Sequence, residues 1–356
     1  MSEFAVPRLE RLTSQPDAEK LLKGSLSGNL VQSLLWVGPE GVGKKTHALA
    51  LIRSLFCQEG PDCPGCPICT QVLNKSHPDL FWVHRDYFWT DVEQDKKKQG
   101  IVASTARRLE SKLNQAPLSA PLKVAVIPDA DSLNDVAQNI LLKTLEEPPA
   151  NTLIILIAEK TSEFLPTVLS RCRPIRFAAL STRAVEDILV ENHGWQADSA
   201  HQAALDSNGN LVLAMKLGDE IWVGFHKKVC EDLDKTFQGP DEVWLALGNE
   251  YDKWEPEFLG DEDITANQRK AQVHHAALQF YINLWSRRLM GEAPTPPGLS
   301  RLPVEQVLKC LQKHQDMIGT NLGTKMIMDH LFLELRDGLK KGYIDDRSFM
   351  ELSVQI

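Results

Sequence analysis

The sequence predicts an α/β phosphate-loop domain built on a parallel sheet, followed by a helical lid and an all-α C-terminal domain. Three observations carry this reading. Short apolar runs alternate with helical patterns through the first half, at "LLWVG" from Leu34, "LFWV" from Leu80, "VAVI" from Val124, "LIILIA" from Leu153 and "IRF" from Ile175. That is the rhythm of parallel strands with helices on their faces. A glycine-rich stretch, "WVGPEGVGKKT" from Trp36 to Thr46, joins the first run to a helical pattern, and after Leu180 the strand signals stop.

The phosphate loop comes first in the chain. Gly38, Gly41, Gly43 and Lys44 fit G-x-x-x-x-G-K directly after a strand and before "KTHALALIRSLF". In that setting backbone N–H groups and a helix N-terminus cradle phosphates, and Lys44 reaches the outer ones. Hydrolysis is a separate matter, because the loop Ser or Thr normally helps to hold Mg²⁺. Lys45 stands at that position, and Thr46, one helical step on, points about 100° away. At the end of the "VAVI" strand, where a magnesium-organising Asp and a neighbouring acid are expected, the chain reads "VIPDAD", with Pro128 in the first place and Asp129 in the second. Hydrolysis, binding of ATP or ADP without Mg²⁺, and a loop kept for its shape are all open at this stage.

From the end of the phosphate-loop helix, Cys57, Cys63, Cys66 and Cys69 follow with C-x₅-C-x₂-C-x₂-C spacing in a Gly/Pro-rich segment. Four thiolates suit tetrahedral zinc, and a site with every position filled by protein is structural. The alternative is an iron–sulfur cluster, since C-x₂-C-x₂-C also occurs in ferredoxins. His77 reads as a turn residue before the next strand and Cys172 as a small buried hydrophobe. "DKKKQG" from Asp95 and "ARR" from Ala106 read as solvated basic clusters. Trp82, Trp89, Trp244 and Trp254 read as core and interface residues.

Further on, Asp135 and Gln138 have capping-box spacing at the head of a helix through Val136, Ile140, Leu141 and Leu145, which Pro148 stops. Beyond "STRAVEDILV" and "NGNLVLAMKL" a small helical module is expected. An acidic Gly/Pro-containing stretch then leads to a helix with Val273, Ala277, Phe280 and Leu284 at i, i+4, i+7 and i+11. "APTPPG" breaks it. Two further helices follow, one around Val304, Val307, Leu308 and Leu311, the other in "TKMIMDHLFLEL". The expected divisions are 1–178, with the cysteine module at 57–69, then 179–222 and 223–356. No internal repeat or low-complexity tract is present.

The bulk numbers limit function. A formal charge of −9 over 356 residues argues against wholesale wrapping of nucleic acid, which needs clustered Lys and Arg. No apolar run approaches the roughly 18 residues of a membrane span, and "MSEFAVPRLE" lacks the pattern of a signal peptide. A cytoplasmic protein without a membrane partner is the expectation.

The segments "SGNLVQSLLWVGPEGVGKK", the cysteine cluster, "NILLKTLEEPP" and "LPTVLSRC" together resemble the AAA+ modules of bacterial clamp-loader subunits, the delta-prime family above all. The likeness is specific over roughly residues 25–215 and looser in "NLGTKMIMDHLFLEL". It implies gamma/tau and delta subunits as ring partners, and a sliding clamp and primer–template DNA reached through the complex. It also implies that Arg171, in Ser-Arg-Cys, reaches across a subunit boundary to a neighbour's γ-phosphate, where a planar, always-charged guanidinium suits the charge of phosphoryl transfer. The alternative is an arginine paired inside its own domain. In hydrolysing members a lid arginine follows a glycine, and a Thr pair follows the fourth strand. Here Val212 and about Glu159 and Lys160 occupy those places. The resemblance thus implies a subunit that hydrolyses little itself. An independent gamma/tau-like ATPase with a rearranged magnesium site is the competing reading, and a nucleotide-regulated scaffold outside replication a third.

Overall fold

The computed structural model describes residues 9, 12, 14–26, 31–60, 63–83, 103–238, 251, 266–289, 291, 303–317 and 324–344. They form two compact units, Met1–His193 with Gly209–Val212, and Gly194–Asn208 with Leu213–Ile356. "DKKKQG", Trp89, Trp244, Trp254 and "APTPPG" lie outside the described residues.

In the first unit all five apolar runs become strands: β1 (Ser33–Val37), β2 (Leu80–Trp82), β3 (Lys123–Ile127), β4 (Thr152–Ala158) and β5 (Arg173–Arg176). The order is β2-β3-β4-β1-β5, and every pairing is parallel. The helices are α1 (Pro16–Leu26), α2 (Lys44–Phe56), α3 (Pro67–Leu73), α4 (Ala103–Leu113), α5 (Asp135–Glu146), α6 (Pro166–Leu169) and α7 (Thr182–His193).

Strand β4 is buried at every position, because helices cover both faces of a parallel sheet. Its side chains alternate. Leu153, Ile155 and Ile157 pack with Leu34, Trp36 and Val124 and with Leu22, Ala48 and Leu51 of α1 and α2. Ile154, Leu156 and Ala158 pack with Leu35, Ala125 and Ile127 and with Leu109, Leu141 and Leu145 of α4 and α5. The loops after β1, β3 and β4 therefore open at the carboxyl edge of the sheet, where ligands bind in open α/β folds.

The cap of α5 differs from the expected box. Asn134 is the N-cap, its Oδ1 accepting from Ala137 N–H at 2.8 Å, and Asp135 is the first helical residue. Gln138 does not reach back to the helix start. Its amide donates to the Leu133 and Glu163 carbonyls at 3.0 and 2.8 Å, and its Oε1 accepts from Leu165 N–H at 2.8 Å. Gln138 thus pins the loop that leads into α6. Val136, expected in the core stripe, is 56% exposed.

Among the described residues of the second unit the regular elements are all helices: α8 (Ala197–Ser207), most of α9 (Leu211–Lys216), α10 (Glu220–Gln238), α11 (Ala266–Leu289), α12 (Val304–Met317) and α13 (Thr324–Lys341). Phe225, Tyr251, Phe280, Tyr281, Trp285 and Phe332 fill its core. The periodic residues Val273, Ala277 and Phe280 are buried, as are Val307 and Leu311, whereas Leu308 faces outward. Among the described residues no helix is long and apolar enough to cross a membrane.

One buried carboxylate locks the sheet's outer pair of strands. Asp79, just before β2, accepts from the backbone N–H groups of Leu118, Ser119 and Ala120 at 2.7 to 2.8 Å, fixing the approach to β3. Burial alone would raise its pKa, but the bonds from Ala120, Leu118 and Ser119 outweigh that and hold it below the ordinary value. Stabilisation from a depressed carboxyl is complete above the unfolded pKa of about 3.9 and is lost as pH falls through the folded pKa. Asp79→Asn should cost about 2–4 kcal/mol at pH 7, since buried N–H donors lose a charged acceptor. Urea unfolding at pH 7 and at pH 3 checks this: the gap between wild type and variant should narrow at the lower pH, and an unchanged gap counts against the assignment.

Candidate functional site

The phosphate loop leaves β1 and enters α2 through Gly43, whose φ of 88° is left-handed and suits glycine. Two approaches need the absence of a Cβ: at Gly38 it would strike the Phe177 backbone, and at Gly41 the Asn210 side chain. The "GNLV" segment closes over the loop, with Leu211 N–H donating to Gly41 O at 2.9 Å, and Val212 in that segment is half-exposed. From the other side, Gln15 donates to Val42 O and Ala178 O. His47 sets one ring nitrogen 2.9 Å from Gly43 O and the other 3.3 Å from the buried Glu19.

Lys44 is buried, and its ammonium donates to the Gly38 and Pro39 carbonyls. Burial lowers its pKa, while Glu159, Asp131 and Glu40 pull the other way. Glu159, directly after β4, has its pKa raised by burial and then by Glu40, against the pull of Lys44. Asp131 accepts from Glu159 N–H at 3.1 Å. Asp131, Glu159 and Glu40 are thus the acids around the lysine. Sequence reasoning missed Asp131 and Glu40 in this role. Asp131's proximity follows only from β3 lying beside β4.

Pro128 is buried beyond β3, and Asp129 is exposed. Asp129 pairs with Lys45 at 2.9 Å, both side chains more than half exposed, so the acid that follows Pro128 is engaged by the lysine at the loop's Ser/Thr position. Thr46 is exposed on α2 and Lys160 half-buried after β4.

Arg171 follows the short α6. Its guanidinium donates to Thr167 O at 3.0 Å and to Glu146 Oε2 at 3.1 Å, the Glu belonging to "LEEPP". Its side chain is 30% exposed and that of Glu146 57%. The domain's own carboxylate holds the arginine in this state of the chain. Cys172 beside it is buried, which pushes its thiol up to about 12 and makes it inert.

The four cysteines converge. Cys57 ends α2, Cys66 caps α3 and Cys69 lies within it, and all four sulfurs lie within 4.8 Å of one another. Cys57–Cys66 and Cys63–Cys69 are 3.7 and 3.9 Å apart. Disulfide sulfurs sit at about 2.05 Å, whereas the edges of a tetrahedron with Zn–S bonds of about 2.3 Å are roughly 3.8 Å. The donor set fits zinc. Burial pushes the Cys57 thiol up to about 12, and a cation bound among the sulfurs would favour its thiolate. His77 stays apart, buried against Phe56 at 4.7 Å and accepting from Asp79 N–H. Trp82 is buried under Lys75. Arg107 and Arg108 lie on the outer face of α4.

Comparison with known proteins adds to this geometry. A family model described as DNA polymerase III, delta subunit, matches residues 14–181. The chain is 34% identical over 341 residues to DNA polymerase III subunit delta' of Bacillus subtilis (strain 168), covering 91% of this chain and 97% of the relative. It is 28% identical over 339 residues to the Escherichia coli (strain K12) delta' subunit, covering 93% and 96%. DNA polymerase III subunit gamma/tau of Mycobacterium tuberculosis (strain ATCC 25618 / H37Rv) is 30% identical over 179 residues, 49% of this chain and 29% of the relative.

Metal analysis tests the cysteine geometry. The purified chain should be colourless and carry a zinc bound by Cys57, Cys63, Cys66 and Cys69, and Cys69→Ser should lose that zinc and its protection of the 57–73 segment from proteolysis. A brown protein containing iron and sulfide would exclude the zinc assignment.

Proposed function

Because the chain belongs to the DNA polymerase III delta' subunit family, we propose that it acts within the clamp loader as a largely non-hydrolysing subunit that completes a neighbour's ATPase site. In this reading it joins gamma/tau and delta in a cytoplasmic ring that places a sliding clamp on primer–template DNA. Residues 1–178 form the AAA+ domain, 179–222 its lid and 223–356 the collar that binds the other subunits. A structural zinc folds the loop at 57–69.

The observation that carries the reading is an asymmetry between two sites. In the chain's own site Lys45 takes the place of the loop Ser or Thr and pairs with Asp129, Pro128 cannot ligate, and Val212 replaces the lid arginine. Arg171, by contrast, stands part-exposed at the end of α6, where a neighbour's nucleotide could meet it. An exposed ion pair such as Arg171–Glu146 is worth about 0–1 kcal/mol, so leaving Glu146 costs little. A guanidinium against phosphate oxygens makes stronger, bidentate, charge-assisted bonds.

Nucleotide retention without turnover is a second reading, favoured by the intact glycines and the buried Lys44. Lys44 then gives up its carbonyl partners for phosphate oxygens.

Reconstitution with gamma/tau, delta, clamp and primed DNA tests both. Arg171→Ala should assemble normally yet lower ATP turnover by tenfold or more, as loss of an arginine finger does, while Lys44→Ala should leave turnover nearly unchanged. A fully active Arg171→Ala complex would make Arg171 a fold element. Turnover by the isolated chain, abolished by Lys44→Ala, would establish the independent ATPase instead.

A further inference from the structure

In the second unit α12 packs against α13, and each carries two metal-binding residue types four apart: Cys310 and His314 in "CLQKH", His330 and Glu334 in "HLFLE". Side chains at i and i+4 share a helix face, with Cβ atoms about 5–6 Å apart. Two such pairs on packed helices therefore converge. His314 Nε2 lies 2.9 Å from His330 Nδ1 and 3.6 Å from Glu334 Oε2, and His330 Nδ1 lies 3.5 Å from the same oxygen. Ligand atoms around a tetrahedral zinc with bonds of about 2.0–2.1 Å are separated by roughly 3.3 Å. The triangle is metal-sized. Cys310, His314 and Glu334 are buried, with one candidate ligand atom of each within 4.8 Å of the others; Cys310 Sγ is 3.8 Å from His314 Nδ1, so it joins Nε2 at a cation by rotation of its side chain.

The imidazole is already oriented as a ligand. His314 Nδ1 sits 2.8 Å from the Cys310 carbonyl oxygen, which can only accept, so Nδ1 carries the proton and Nε2 turns its lone pair toward His330 and Glu334. Metal-bound histidines are held in this way, the second ring N–H given to a backbone carbonyl. Without metal, the proton on His330 Nδ1 serves as donor to His314 Nε2. Metal binding moves that proton to the other nitrogen of His330 and frees both lone pairs.

Lys313 is the opposing charge, 3.1 and 3.3 Å from the two Glu334 oxygens. Its charge opposes a cation beside Glu334, and two anionic donors, Glu334 and the Cys310 thiolate, offset it. A cation on Oε2 displaces the longer of these two contacts and leaves Lys313 on Oε1.

We propose that Cys310, His314, His330 and Glu334 form a second metal site, suited to zinc, that ties α12 to α13 independently of the Cys57–Cys69 module. The mixed thiolate, imidazole and carboxylate set matches zinc, and four protein ligands make the site structural rather than catalytic.

The test is zinc stoichiometry by mass spectrometry on the full chain, purified from zinc-supplemented medium, for wild type, His330→Ala, Glu334→Gln and Cys57→Ser/Cys69→Ser. The first two variants should each lose about one zinc per chain relative to wild type, with helical circular dichroism retained, and added zinc should raise Tm in wild type more than in either. The double cysteine variant should keep the C-terminal equivalent. Failure of the cysteine module to bind zinc would lower wild type and the C-terminal variants alike and leave their difference intact. Equal zinc in wild type and both C-terminal variants would overturn the proposal. Should those variants unfold, a metal-free double cysteine variant would overturn it and a zinc-bound one support it.

Discussion

The burial of β4 between two strands and two helical layers is the constraint on which the first unit depends. A strand apolar at all seven positions has a stable place only where both its edges are paired and both its faces covered. That places β4 beside β1 and β3 and brings the ends of three strands to one edge. Gly38, Asp129, Asp131 and Glu159 lie at that edge because of it, not because of any attraction among them. Three of those residues are acids, and mutual repulsion would separate them were the backbone free.

At this edge, Lys45 stands where the loop Ser or Thr of a hydrolysing site helps to hold a divalent ion. Lys45 pairs with Asp129, and Lys44, buried on two carbonyls, faces the field of Glu159, Asp131 and Glu40. An ammonium can balance charge, but it cannot bring several oxygens together in the fixed geometry that Mg²⁺ imposes on phosphates and water. A site of this kind can compensate phosphate charge without organising an attack on it. Under the proposed function, weak turnover by this chain would follow from coordination geometry rather than from a lack of positive charge.

How far the sequence could be read follows from the range of each interaction. Strand positions were legible because burial on both faces leaves continuous apolar runs, and the phosphate loop because left-handed φ and close packing demand glycine at fixed spacing. The convergence of four cysteines was legible because all of them fall within one loop and a short helix. The cap of α5 was misplaced by one residue, since Asn134 and Asp135 are both competent caps and the choice depends on where the chain enters the helix. Gln138 was given a local role, yet its partners Glu163 and Leu165 belong to another segment. The same limit hid Asp131 beside Glu159, Glu146 beside Arg171, and the meeting of Cys310 and His314 with His330 and Glu334. Each half of these pairs looks ordinary alone.

The tether of Arg171 is compatible with the trans-acting role proposed for it. A guanidinium left unsupported would sample many rotamers and lose entropy on meeting a nucleotide; one fixed in a buried pair would have to break it at a cost of several kcal/mol. Arg171 lies between these limits. Thr167 O and Glu146 restrict its orientation, while exposure keeps the ion pair weak. Gln138 enters here as well, since by pinning the Glu163–Leu165 turn it fixes the start of α6 and so the base from which Arg171 projects. The buried amide supplies position, the exposed carboxylate supplies a resting contact, and the guanidinium can leave that contact without disturbing the helix that carries it.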